Sequence, residues 1–500
     1  MRTEIQRRVL CGVAGVSAAL LLVRGVAGPL PWMHSPLTAE CALAVSVVWA
    51  WLTREGTATA SRTGSGWLAG VLVFMAAVAA YVPVLGMPLI TDDYIHMQQI
   101  KDGLAPSALG CLTHSCGGPQ VYRPLGFATY RAEWQLWGTA ARPRHGFDLL
   151  LHGVCSVLFL LLVRRLGVPE PLDWLGALVF AGNGVRVEAV AWSGARFDTL
   201  AVLFGLAAAV CLLRSGRIWW VASLVATAAA CLSKESAYAV PVLLALVAGR
   251  KALPHFGVAA AIFLWRWRVL DGIGGYLGED AAPTVLQFHA VVFLKTFLAR
   301  IWGVLWFPLN WSTSLEWWMA LGLAAGLVGS FLLVWARPDR RKTALCVAGV
   351  VAACIPTHHL LLIGPSLERS RYLDLASIAF TCLLVFAAVA LPKRVGVAAL
   401  ALMAGFQVAA LEHNLGIWSR VSQARYEFCR SLAERARLAP GLVEIQGVPF
   451  AVDGIYWRNG IEECLWMEFG IPMGKVRISS GFPESVRSAA RPQPSSPGTS

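Results

Sequence analysis

The sequence predicts an all-α polytopic membrane protein with about thirteen transmembrane helices. Three observations predict it. Of 500 residues, 57% are hydrophobic and 14% charged, against about a quarter charged in an ordinary soluble domain. Apolar runs near the roughly 20 residues a spanning helix needs recur at 9–23, 67–89, 317–335, 343–364 and 376–391. The Lys and Arg residues, which give a formal net charge of +13, collect in short clusters between such runs. That is the pattern of positive-inside topology and of attraction to anionic lipid, not of nucleic-acid binding.

The basic clusters orient the spans. Arg2, Arg7 and Arg8 precede the first run, 9–23, which reads as a retained signal-anchor because no clean small-x-small cleavage site follows. The second span, 37–52, returns the chain to Arg54 and Arg62, so residues 1–66 form an extra N-terminal hairpin with a cytoplasmic N-terminus. The third, 67–89, delivers the long loop 90–144 to the extracytoplasmic side. This loop is mixed in charge, holds Asp92, Asp93, His96, Trp134 and Trp137, and is predicted to form amphipathic helices on the membrane. Spans follow near 147–163, 172–190, 199–213, 218–232, 238–248 and 255–270, with Arg164, Arg165, Arg214, Arg217, Arg250 and Lys251 at the inner turns. Several are short, which predicts tilted, broken or re-entrant helices.

Lys295 and Arg300 interrupt residues 283–308. If that stretch spanned, the basic segment 337–342 would fall outside, so parity makes it interfacial or re-entrant on the outer side. Spans near 317–335, 343–363, 372–391 and 395–411 complete a transmembrane domain, 67–411. Residues 412–490 are expected to form a small extracytoplasmic tail. Residues 491–500, rich in Pro and Ser, are expected to be disordered. Most of the twelve Cys lie in apolar runs as small buried hydrophobes. Cys111 and Cys116 share a polar loop and are either a disulfide or two free thiols.

Five polar signals fall on the outer side. Thr91-Asp92-Asp93-Tyr94 follows a span; the carboxylates either cap the next helix or serve as a general base, alone or with a metal. Tyr122-Arg123-Pro124-Leu125 holds an Arg extended before a Pro, either to meet a phosphate or as an interface anchor. Arg186, Glu188, Trp192, Arg196 and Asp198 sit where two spans meet, where ionisable residues are often functional; the alternative is local pairing, Arg186 with Glu188 or Arg196 with Asp198. Ser233-Lys234-Glu235-Ser236 is either an anion-binding turn or an exposed salt bridge. Glu368-Arg369-Ser370-Arg371-Tyr372 offers two Arg residues for a phosphate, or an interface anchor.

Taken in order, these motifs resemble the GT-C superfamily of polytopic glycosyltransferases. They are most similar to the transmembrane O-mannosyltransferases that carry tetratricopeptide repeats, and to their bacterial relatives. The likeness runs from residue 89 to residue 377. It rests on Asp92-Asp93, Tyr122-Arg123-Pro124-Leu125, His145 and His152, the segment 180–192 (FAGNGVRVEAVAW) followed by Gly194, Arg196, Asp198 and Leu200, then Ser233-Lys234-Glu235 and Arg371-Tyr372-Leu373. The chain departs from the family pattern in carrying Asn183-Gly184 where His-Pro is usual, and Asp374-Leu375-Ala376-Ser377 after Arg371-Tyr372-Leu373. It also has no repeat array, and its acidic pair follows the third apolar run instead of the first.

The resemblance implies an inverting transfer of a sugar from a polyprenyl-phosphate donor to an extracytoplasmic hydroxyl on a glycan, lipid or protein. Asp92 would take the acceptor proton. Asp93 would orient the acceptor or hold a divalent cation, which some such enzymes use. Arg123, Arg196, Lys234, Arg369 and Arg371 would stabilise the leaving phosphate. Tyr122, His152, Glu188 and Glu235 complete the expected site. The Ala, Arg and Gly richness and the missing repeats lean towards a bacterial plasma membrane. Two other readings share these features: a transporter or flippase of a lipid-linked sugar, and an inactive GT-C-like scaffold.

Overall fold

A computed structural model of the chain describes residues 66–116, 120–275, 283–311 and 318–479. The expected N-terminal hairpin up to residue 65 and the Pro/Ser-rich end, 491–500, lie outside the described residues. Six described segments are helical, long and apolar enough to cross a membrane: Ala141–Arg165, Ser193–Leu212, Glu235–Leu270, Arg340–Leu360, Ser370–Ala390 and Lys393–Leu438.

The helices, in chain order, are α1 (Gly66–Ala80), α2 (Asp92–Lys101), α3 (Pro124–Trp137), α4 (Ala141–Arg165), α5 (Leu172–Ala181), α6 (Arg196–Leu212), α7 (Arg217–Cys231), α8 (Val240–Ala248) and α9 (Leu253–Leu270). Then come α10 (Ala290–Thr296), a π-helical turn (Phe297–Trp302) and α11 (Gly303–Trp306), followed by α12 (Trp318–Ala336), α13 (Arg340–Cys354), α14 (Asp374–Ala390) and α15 (Lys393–Leu438). A small α/β element ends the described chain. Its strands are β1 (Val443–Gln446), β2 (Ala451–Val452), β3 (Ile455–Tyr456) and β4 (Val476–Ser479), with α16 (Ile461–Phe469) before the last. β1 pairs with β4 in parallel, and β2 with β3 as a hairpin.

Not every apolar run makes a full-length helix. The run 172–190 does not stay helical: α5 ends after 10 residues, and a 3-10 turn, Gly184–Arg186, precedes a short helix, Val187–Ala191. The cause is local. Gly182-Asn183-Gly184 disfavours a continued helix, and the Asn183 side chain caps Val185 N instead. Ten residues rise only about 15 Å, half the hydrocarbon thickness. The 36-residue stretch Glu235–Leu270 is not a straight rod either. Glu235 lies 3.8 Å from Arg266, whereas a helix would part them by about 45 Å. The chain folds back at Gly249, whose φ of +59° suits glycine.

Residues 283–308 bring both their ends to one end of the bundle. Phe288 packs edge-on against His358, their centroids 5.0 Å apart, while the Pro308 carbonyl accepts a hydrogen bond from Asn414 Nδ2 at 2.8 Å. Between them Trp302 and Trp306 pack against Phe380. The segment returns to the level it left.

Below that level lies the apolar core of α4, α5, α6, α8, α13 and α14. Phe159 stacks on Phe180 with centroids 4.6 Å apart. Small residues set helix spacing, as membrane packing requires: Gly153 abuts the Phe74 ring and Gly176 abuts Val385.

The boundary expected at residue 411 falls inside α15, which runs unbroken for 46 residues, about 69 Å. No Pro follows Pro392 until Pro440, and one face stays buried at Leu411, Leu415, Trp418, Ser422, Arg425, Cys429, Leu432 and Ala436. These alternate four and three residues apart, the spacing of a single helical stripe. The polar half of α15 carries the α/β element. Arg425, fully buried, donates to the carbonyls of Trp457 and Asn459 at 2.9 and 2.7 Å. This pins the loop that ends at Gly460 against the start of α2.

A Cβ on Gly460 would stand 2.2 Å from the Thr91 carbonyl, and Gly460 has φ +71°. Gly470 has a similar φ of +69° with nothing nearby. Gly470→Ala is therefore expected to lose only the left-handed penalty, about 1 kcal/mol. Gly460→Ala should lose that and a further 1–3 kcal/mol, roughly, from overpacking. Melting temperatures in detergent, with limited proteolysis around residues 439–460, separate the two; equal effects would show that the α2 contact carries no load.

Candidate functional site

The acidic pair opens α2. Thr91 precedes it with φ 46° and ψ −116°, a conformation costly for a β-branched residue. Its hydroxyl is buried without a partner among the described residues. The two carboxylates that follow differ in surroundings. Asp93 is buried, and its Oδ2 accepts from Ile90 N at 2.9 Å, closing the helix start. Burial pushes its carboxyl up to about 7, against the pull of that N–H. Asp92 is half-buried and makes no hydrogen bond or ion pair among the described residues. It acts through space on His96 and on Glu463.

His96 sits one turn further along α2 in an aromatic box of Phe127, Tyr130 and Phe197, with centroids 5.2, 5.2 and 5.8 Å away. Burial drops its imidazole to about 4, so the ring is neutral near pH 7. Beneath the box lies a buried charge network. Arg196 pairs with Asp148 and with Glu133, the latter at 2.7 Å. Arg144 reaches Glu133 at 3.0 Å. Ser193 donates to Asp148 at 2.6 Å, and the Tyr130 hydroxyl donates to the Ser193 carbonyl.

Across Phe197 lie the other cations. Arg123 donates to Glu235 at 2.8 and 3.0 Å, and its guanidinium lies 5.1 Å from the Phe197 ring. Lys234 pairs with Asp198 at 2.7 Å and lies over Tyr372. Burial lowers the Lys234 ammonium, partly offset by Asp198. Arg371 binds Glu188 through both its guanidinium and its backbone N–H, the latter at 3.0 Å. Its guanidinium also faces the rings of Trp192, Tyr372 and Tyr456. Arg186, fully buried, pairs with Asp374.

These partners correct the local pairings read from sequence. Arg186 does not pair with Glu188, nor Arg196 with Asp198. Lys234 and Glu235 form no exposed bridge with each other, because each has a distant partner. Arg369 and Arg371 do not act as a free pair. Arg371 is committed to Glu188, while Arg369, with φ 72°, is half-exposed and 3.7 Å from Glu368.

Two further candidates lie off the site. The Tyr122 hydroxyl donates to Leu112 O at 2.9 Å, in the loop closed by the Cys111–Cys116 disulfide. His152 is buried inside α4, its Nε2 3.0 Å from Ala181 O and its ring against Tyr81. Among the described residues no group of three or more His, Cys, Asp and Glu is arranged to hold a metal ion.

Sequence reasoning missed the contribution of the C-terminal element. A cavity of about 390 Å³ lies beside α2, lined by Ile95 and by Arg458, Asn459, Gly460, Glu462 and Glu463. Glu463 is raised by burial and by the nearby charges of Glu462 and Asp92. The signal for this was the buried stripe of α15, which places the loop that follows. Comparison with protein families, with curated proteins and with solved structures finds no match, so the site is read from its own chemistry.

Two outcomes follow from the buried charges. Asp198→Asn leaves the Lys234 ammonium buried without its partner and is expected to cost about 3–5 kcal/mol. The double change Lys234→Met with Asp198→Leu should recover much of that loss, as read from unfolding in detergent.

The raised Asp93 carboxyl means the folded chain holds a proton that the unfolded chain releases near pH 4. Its contribution to stability is full below about pH 4 and is lost as pH rises through about 7. Asp93→Asn should flatten melting temperature across that range; an unchanged slope would assign the titration elsewhere.

Proposed function

We propose that the chain is a membrane glycosyltransferase that moves a sugar from a polyprenyl-phosphate donor to an acceptor hydroxyl on the extracytoplasmic side, with inversion. The observation that carries this reading is the difference between the paired carboxylates. Asp92 is half-buried, without a partner among the described residues, and follows the strained Thr91; Asp93 is spent on closing the helix start. A general base needs a free lone pair within reach of the proton it takes, and Asp92 has one.

In this mechanism the acceptor lies in the cavity between α2 and the loop ending at Gly460, whose Arg458, Asn459, Glu462 and Glu463 suit hydroxyl groups. Asp92 takes the proton from the acceptor oxygen as that oxygen bonds to the anomeric carbon. The bond from that carbon to the phosphate oxygen breaks, and its electron pair leaves with the lipid phosphate. Positive charge must then meet that phosphate. Arg123 and Arg266, which meet at one carboxylate, Glu235, are the cations offered for that role. The pairs Lys234–Asp198 and Arg371–Glu188 are balanced one to one, and they fix the walls of the site more readily than they bind an anion.

The test uses purified protein and a panel of polyprenyl-phosphate sugars, with release of polyprenyl phosphate as the readout. Asp92→Asn is expected to slow release by about 10²–10⁴-fold, the usual span for a general base, with normal membrane insertion. Full activity in that variant would remove Asp92 as the base. No release from any donor by the folded wild type would favour the transporter or scaffold.

A further inference from the structure

Three basic turns treat their cations differently from the rest of the bundle, where even Arg164, at the same end as these turns, pairs with Asp173 and Glu170. At the end that holds Asp92, Arg123, Arg144, Arg186, Arg196, Lys234 and Arg371 each have a carboxylate partner. At the opposite end, the turns 213–217, 249–251 and 337–342 carry Arg214, Arg217, Arg250, Lys251, Arg337, Arg340, Arg341 and Lys342. None of these eight makes an ion pair with a carboxylate among the described residues. The one carboxylate in those turns, Asp339, is occupied as the N-cap of α13, accepting from Lys342 N at 2.9 Å.

Between the ends of α6, α8 and α13 at this basic end lies a cavity of about 530 Å³. Its walls are aliphatic, including Leu212, Leu246, Val247 and Leu345, and its two charged lining residues are Lys251 and Arg341. Both cations are exposed. Two unpaired cations at the mouth of an aliphatic cavity ask for a molecule with a negative head and an apolar body. A free phosphate would gain the charges but leave the aliphatic wall bare. The helices around the cavity belong to segments apolar enough to span a membrane, so bilayer lipid is at hand.

We propose that this cavity binds an anionic phospholipid, with the headgroup phosphate between Lys251 and Arg341 and the upper acyl chain along Leu246, Val247 and Leu345. The site is independent of any sugar transfer at the other end. Basic pockets between membrane helices are suited to such headgroups, and each Lys or Arg near an anionic lipid surface adds about 1 kcal/mol.

The experiment offers the full chain, in neutral detergent, equal amounts of phosphatidylglycerol and phosphatidylcholine, and counts retained lipid by native mass spectrometry. Phosphatidylglycerol is expected to be preferred. Lys251→Gln with Arg341→Gln should weaken its retention by roughly thirty-fold, two such contributions, and bring it to the level of phosphatidylcholine. Leu246→Trp, which fills the cavity and keeps both cations, should lower retention of phosphatidylglycerol as well. A preference that survives the double variant overturns the proposal. So does displacement of the lipid by inorganic phosphate at matching concentration, which would make this a phosphate site without a lipid.

Discussion

The buried ion pairs constrain everything else at the Asp92 end of this protein. A charge out of water is tolerated only with a partner close by, and here the partners come from far along the chain. Arg186 and Asp374 stand 188 residues apart, and Arg371 and Glu188 stand 183 apart. Each pair therefore fixes one turn against another. The break in the run 172–190 follows from this as much as from Gly182-Asn183-Gly184. A continuous helix would rotate Arg186 away from Asp374, at the first turn of α14, and leave two bare charges in the core.

The same constraint shapes what the site can bind. A cation already paired with a carboxylate does not attract an anion freely: the anion must displace the carboxylate or neutralise a surplus. Arg123 and Arg266 meet at one carboxylate, Glu235. At the opposite end Arg164 is paired as well, with Asp173 at 2.6 Å and Glu170 at 3.6 Å. The turns 213–217, 249–251 and 337–342 differ, because among the described residues their eight cations make no ion pair with a carboxylate. Paired charge at one end fixes turns against one another, and the three basic turns at the other leave Lys251 and Arg341 exposed.

Much of this was legible in the sequence, and the limits have physical reasons. The apolar runs and basic turns mark the bundle, because hydrophobicity is a local property. Helices were expected in the loop 90–144, and α2 and α3 form there. The partners of Arg186 and Arg196 were not legible, since three-dimensional pairing has no local signature. Yet the local pairings were excludable. Arg196 and Asp198 are two apart on α6, and residues so spaced do not face each other on a helix. One accordingly turns to Asp148 and the other to Lys234. The continuation of α15 past residue 411 was in plain sight as the stripe from Leu411 to Ala436. Ser422 and Arg425 disguised it, because a polar residue on a buried face looks like the end of that face. Arg425 is there to hold the loop at Gly460, a reason visible only in three dimensions.

That loop bears on how the acidic pair divides its work. The N-terminus of a helix favours negative charge, so both carboxylates at the start of α2 gain from their position. Only one is free to use it. Asp93 turns back to Ile90 N and is sealed from water. Asp92 is half-buried and acts through space on Glu463 and His96. The strained Thr91 backbone joins the two facts, since its carbonyl is the atom that Gly460 meets. The loop that ends at Gly460, held by Arg425, thus stands directly against the backbone carbonyl just before Asp92. In the proposed transfer, an acceptor bound in the cavity beside α2 would meet the carboxylate at this junction of two elements far apart in the chain.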